Sequence, residues 1–168
     1  MAKMTVYSLS IVQMKKIQDV MLKACAENEA IWRNIWKGGI WMKWADGKIR
    51  CCWANPRNER YIRYHDEEWG VPVHDDRKLF EMLILECFQA GLSWECVLNK
   101  RDAFREAFDN FDPEKVSAYT EDKLEALRSN PGIIRNRLKI QAAVTNAWAF
   151  LEIQKEYGSF SDYIWHWT

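Results

Sequence analysis

The chain has 168 residues, a formal net charge of +0 and a hydrophobic share of 48%. That is enough for one domain with a core and too little for two ordinary ones, and 29% charged residues exclude a disordered or fibrous chain. Zero net charge excludes a strongly basic nucleic-acid binder but leaves room for a local basic face.

No apolar run reaches the ~18–20 residues that span a bilayer. Lys15, Lys16 and Asp19 interrupt any secretory layout at the N-terminus. A cytoplasmic chain with no membrane partner is therefore expected. Its five cysteines, an odd number, then read as reduced thiols or metal ligands. The unusual count is ten tryptophans, which calls for core packing, for stacking on a flat ligand, or for both.

In chain order, Met14, Ile17, Val20, Met21 and Ala24 mark one face of a helix within 5–26. Gly38-Gly39 breaks the chain after it. Residues 45–74 are turn-rich, with Ala45-Asp46-Gly47, Asn55-Pro56 and Gly70-Val71-Pro72. A helix capped by Asp75 or Asp76 follows, with Leu79, Phe80, Met82, Leu83, Ile84, Cys87 and Phe88 on its apolar face and Gly91 at its end. Ser93 caps a short helix through Leu98. Further helices are predicted near 102–109, after Pro113, and from Glu121 to Arg128 after Thr120. Asn130-Pro131-Gly132 is a break. A last helix runs from about Arg137 to Tyr157, striped by Ile140, Val144, Ala147, Trp148 and Leu151. No strand-type alternation is visible, so the expected class is all-α.

Three features carry chemistry. On a wheel of ~100° per residue, Glu86 falls beside Leu79, Met82 and Ala90, away from the polar arc of Arg77, Lys78, Glu81 and Gln89. A carboxylate on an apolar stripe is costly unless partnered or protonated. It is either a rim or arginine-paired residue, or a pocket group that reads a ligand. Trp94, eight residues on, supplies a face for a flat electron-poor ligand. Secondly, Cys51 and His65 could supply two zinc ligands, but no close second pair follows. Thirdly, 126–151 holds no Asp or Glu, and Arg128, Arg135, Arg137 and Lys139 cluster around Pro131-Gly132. Such a loop leading into a helix N-terminus is either a solvated turn or a phosphate site.

Longer motifs then come together. Cys51-Cys52-Trp53, the run from Tyr61 to Pro72, Lys78 to Leu83, Gln89-Ala90-Gly91-Leu92-Ser93-Trp94 and Gly132 to Ile140 resemble the DNA-3-methyladenine glycosylase I family, in the family's order. The likeness covers 50 to about 167. It sets residues 1–41 apart as a helical N-terminal extension and makes 42–168 the glycosylase domain.

The resemblance implies a helix-hairpin-helix DNA glycosylase fold. It also implies excision of 3-methyladenine from alkylated double-stranded DNA, the first step of base excision repair, by a monomer that releases the free base. By position, Glu86 is the catalytic-pocket carboxylate, and Trp94, Tyr64, Trp53 and Tyr61 are the base-binding aromatics. Gln89 or Leu92 is the wedge that fills the gap left by the flipped nucleotide. With Arg135, Arg137 and Lys139 these form the DNA-contact set. Cys51 and His65 match two of four ligands to a structural zinc. The family runs some 60 residues further, a part expected to carry the other zinc pair and the hairpin that grips the DNA backbone. The chain therefore reads as C-terminally truncated. The alternative function is an inactive remnant that binds base or DNA weakly, or packs on a partner.

Overall fold

The computed structural model describes residues 41–166. The helix expected within 5–26, together with Trp32, Trp36 and Trp167, lies outside them. The described residues fall into two compact units, one ending at Val71 and one beginning at Pro72.

The first unit opens with an antiparallel hairpin of β1 (Trp41–Lys43) and β2 (Ile49–Cys51), with Trp41 opposite Cys51 and Lys43 opposite Ile49. This hairpin is the one departure among the described residues from the helical class expected, since every other element is a helix. Three-residue strands are too short to display a period of two. Helix α1 (Glu59–Glu67) follows, its first N–H groups capped by the Asn58 side chain.

Arg50 ties hairpin to helix. It is 3% exposed, grips both carboxylate oxygens of Asp66 at 2.8 and 2.7 Å, reaches Asp46, and lies 4.6 Å over the Trp44 ring. A bidentate guanidinium–carboxylate pair is among the stronger polar contacts a small unit can make.

The second unit is helical: α2 (Asp76–Gln89), α3 (Trp94–Asn99), α4 (Arg101–Ala107), a 3-10 turn (Asp109–Phe111), α5 (Pro113–Ser117), α6 (Glu121–Ser129), α7 (Arg137–Tyr157) and α8 (Phe160–Trp165). The expected caps Asp75, Ser93 and Thr120 are joined by Asp112 and Asn136, which the sequence did not single out. The side chains of Asp75, Ser93, Asp112, Thr120 and Asn136 each accept from a backbone N–H in the first turn they precede.

Helix α7 is the hub. It buries Ile140, Ala143, Val144, Ala147, Phe150 and Ile153, and α2, α5, α6 and α8 all pack on it. Phe80 meets Phe150 edge-on at 5.0 Å, and Phe150 stacks on Phe160 at 4.1 Å. Phe88, Phe104 and Phe108 form a second cluster. Trp148, placed in the core by its stripe position, is 56% exposed instead. Its neighbours one turn either side, Thr145 and Glu152, are exposed too, so the stripe's edge faces water.

Candidate nucleic-acid and base-recognition site

Helix α2 carries two glutamates with opposite surroundings. Its buried residues are Phe80, Glu81, Ile84, Leu85 and Phe88. Glu81, expected on the polar arc, is 6% exposed. It accepts from Arg101 Nε at 2.6 Å and from Arg105 at 2.7 and 3.2 Å. Burial alone would push its carboxyl up, but the two guanidinium groups win and hold it below the ordinary value.

Glu86 is exposed, roughly 170° around the helix from the middle of the buried arc. This corrects the picture of a carboxylate buried on the core stripe. The apolar residues beside it, Leu79, Met82 and Cys87, form a second, half-buried arc rather than the core face. Glu86 has no hydrogen-bond or ion-pair partner among the described residues. The protein around it pushes its carboxyl above the ordinary value of 4.5. Water still reaches it.

Beyond α2 the backbone makes a turn in which the Leu92 N–H donates to the Gln89 carbonyl at 2.6 Å. Ala90 at φ −46°, ψ 114° and Gly91 at φ +79° give it type II geometry, which asks for glycine at its third position. The turn sets Gln89 half-buried at one end and Leu92, 41% exposed, at the other. Trp94 then opens α3 under the Ser93 cap and is buried, with 8% exposure.

The first unit gathers three of the four aromatic candidates, Trp53, Tyr61 and Tyr64. Trp53 lies 5.2 Å from Tyr61, 6.5 Å from Tyr64 and 5.4 Å edge-on from Trp69. Trp69 stacks on His65 at 5.7 Å.

The basic stretch resolves into α6, the loop 130–136 and α7. Gly132 is tightly placed: a Cβ there would lie 3.0 Å from Asn130 Oδ1 and 3.1 Å from the Ala103 methyl. Lys100, which the sequence did not single out, donates to the Pro131 and Gly132 carbonyls at 3.2 Å each. A cavity of about 630 Å³ opens beside the loop, lined by Lys100, Arg128, Ile133, Ile134, Arg135 and Asn136. Arg135 and Arg137 are exposed. Lys139 is not a free cation: its ammonium donates to Phe88 O at 2.9 Å and Ala90 O at 2.5 Å, and burial pulls its pKa down.

Residues 53–168 match the methyladenine glycosylase family. The chain belongs to that family. Over 116 residues it is 50% identical to DNA-3-methyladenine glycosylase 1 of Escherichia coli K12 and 49% identical to the DNA-3-methyladenine glycosylase of Haemophilus influenzae. Each alignment covers 69% of this chain and 62% of the relative, so the chain spans less than two thirds of these relatives' length.

Two solved structures share the fold. A crystal structure of 3-methyladenine DNA glycosylase I superposes with a TM-score of 0.66 at 50% identity, covering 70% of this chain and 64% of that one. The Staphylococcus aureus glycosylase, solved to explain its recognition of 3-methyladenine, superposes with a TM-score of 0.65 at 38% identity, covering 76% and 64%.

Set within the methyladenine glycosylase family, two further features stand out. One is that α6, the loop 130–136 and α7 form a helix–loop–helix hairpin. The two zinc-ligand positions serve each other. Cys51 donates its backbone N–H to His65 Nε2 at 3.2 Å, and His65 Nδ1 meets Asp66 Oδ1 at 2.9 Å. With Nε2 accepting and Nδ1 donating, neither ring nitrogen offers a lone pair to an ion. No group of three or more His, Cys, Asp or Glu side chains gathers among the described residues. In this arrangement Cys51 and His65 are held by hydrogen bonds within the first unit. No helix among the described residues is long and apolar enough to cross a membrane.

Proposed function

We propose that this chain excises 3-methyladenine from alkylated double-stranded DNA by hydrolysing the N-glycosidic bond. The observation that carries the proposal is Glu86: an accessible, unpartnered carboxylate set among apolar neighbours and turned away from the core. Such a group is poor at holding a fold together and well placed to meet a cation.

Methylation at the ring nitrogen makes the base cationic. Electron-rich rings then attract it, at roughly 0.5–2 kcal/mol per contact. Trp94 is the aromatic residue of the second unit assigned to that stacking by the family resemblance. The Glu86 charge favours the cation over neutral adenine. Flipping a base out of the duplex costs a few kcal/mol, least for a damaged one.

Arg135 and Arg137 attract the backbone phosphates, helped by the free N–H groups at the start of α7. Leu92, the more exposed of the two wedge candidates, fills the gap. Water then attacks the sugar C1′. The glycosidic bond breaks with its electron pair going to the base, which leaves as neutral 3-methyladenine, and the proton of the attacking water passes to solvent. A cationic purine is already a good leaving group, so no strong general acid is needed and no metal enters the step.

The test is release of free 3-methyladenine from methylated duplex DNA, followed by mass spectrometry. Release by the parent chain, with loss in Glu86→Gln and Trp94→Ala, supports the proposal. No release above background by a folded parent contradicts it. Quenching of tryptophan fluorescence by free 3-methyladenine in that case would identify a binding module without turnover.

A further inference from the structure

Helix α2 ends without a basic residue in its own last turn, and its final carbonyls need donors from elsewhere. Lys139 provides them. It is the third residue of α7, and its backbone N–H is held by the Asn136 cap. Its ammonium crosses 49 and 51 residues of chain to donate to Ala90 O and Phe88 O. These carbonyls bracket Gln89, and Ala90 is the second residue of the turn whose ends are Gln89 and Leu92. A cation at a helix C-terminus also meets the negative end of the helix dipole. In the other direction, Lys100 at the start of α4 holds the Pro131 and Gly132 carbonyls of the hairpin loop. Two ammonium groups therefore hold the two backbone segments assigned to DNA, each from a helix terminus distant in sequence.

We propose that Lys139 is a positioning residue for base excision: it fixes the 89–92 turn, and the wedge side chain it presents, in register with the hairpin, and is not a phosphate contact. This rests on the excision activity proposed above. Two of its three ammonium hydrogens are committed to carbonyls, which ties the ammonium to the turn and leaves one hydrogen for any other acceptor.

Three variants separate these roles. Lys139→Met removes the donors at similar length. Lys139→Arg keeps donors and charge. Arg135→Ala serves as the phosphate-contact reference.

With saturating methylated duplex, Lys139→Met is expected to slow single-turnover release about ten-fold or more, and Lys139→Arg to recover most of it, as for a lost charge-assisted hydrogen bond. The slope of log affinity against log salt stays at the parent value in Lys139→Met and drops by about 0.9 in Arg135→Ala. Amide exchange at 89–92 speeds about ten-fold in Lys139→Met with the α7 core unchanged. A Lys139→Met salt slope lowered like that of Arg135→Ala, with release at saturation unchanged, would overturn the proposal and restore the phosphate contact.

Should the methionine variant fail to fold, nitrogen-15 spectra of the parent's lysine ammonium groups decide the contact. Slowly exchanging Nζ hydrogens on Lys139 support it, and free exchange overturns it. A parent that releases no base defeats the functional reading, while the exchange measurements still report whether Lys139 holds the turn.

Discussion

Glu81 and Glu86 stand on the same helix, five residues apart, and do opposite things. Glu81 sits inside the core, and two arginines, Arg101 and Arg105, close over it. Glu86 sits on the accessible arc, and nothing described answers its charge. The protein around them presses both carboxyls upward, yet only Glu81 has the cations to reverse the push. The lesson is that a buried charge with partners is architecture, whereas an accessible charge without partners among apolar side chains is available to a ligand.

The sharpest way to break this comparison is to neutralise each side in turn. Glu81→Ala strands two guanidinium groups, one of them buried, and is expected to cost about 3–5 kcal/mol of stability. Thermal or urea unfolding measures it, and the surviving folded fraction should still release base. Glu86→Gln should behave inversely, changing stability by no more than about 0.5 kcal/mol. Its base release should fall ~100-fold, in the range seen when one electrostatic contact to a developing or existing charge is removed. A reversed pattern would mean that the roles of the two glutamates have been exchanged.

Acid titration sharpens the contrast further, because the two shifts have opposite signs. The folded-state value of Glu81 lies below that of the unfolded chain, so its contribution is present above the ordinary 4.5 and is lost as pH falls through the folded value. The folded-state value of Glu86 lies above 4.5, so stability declines slightly as pH rises through the interval between the two. Urea unfolding across roughly pH 3–6 should therefore show a smaller low-pH drop in Glu81→Gln, where Asp66 and Asp109 still contribute, and lose the small opposing slope in Glu86→Gln. Release by the parent should rise with pH through the Glu86 titration and then level off, because the carboxylate form is the one that attracts the cation.

The smallest effect belongs to the exposed loop cations. Arg135→Ala and Arg137→Ala should each lower the salt slope of DNA affinity by about 0.9 while leaving unfolding within about 0.5 kcal/mol of the parent.

Much of this fold is local chemistry, and local chemistry is legible. The caps at Asp75, Ser93 and Thr120 work through one side chain and N–H groups two or three residues on, so the helix starts stand where the residues place them. The bounds of α7 follow from its stripe and from Gly158 at its end. The β1–β2 hairpin was invisible because its strands are three residues long.

The two glutamates were assigned to the wrong arcs for a different reason. A helical wheel shows that α2 has apolar residues on more than one side, but not which side the rest of the protein covers. Phe150, some 70 residues downstream, helps to decide that by packing on Phe80. The contacts of Lys139 with the Phe88 and Ala90 carbonyls are likewise made by tertiary packing, which its position in the sequence does not reveal. The aromatic grouping of Trp53, Tyr61 and Tyr64 was expected from the family resemblance, and their spacing alone does not yield it.

The most direct measurement is single-turnover release of 3-methyladenine from methylated duplex DNA by the parent, Glu86→Gln and Glu81→Gln, each normalised to its folded fraction. The account predicts release by the parent, near-parent release by the folded fraction of Glu81→Gln, and a loss of about 100-fold in Glu86→Gln. Parent-like release by a well-folded Glu86→Gln would contradict it.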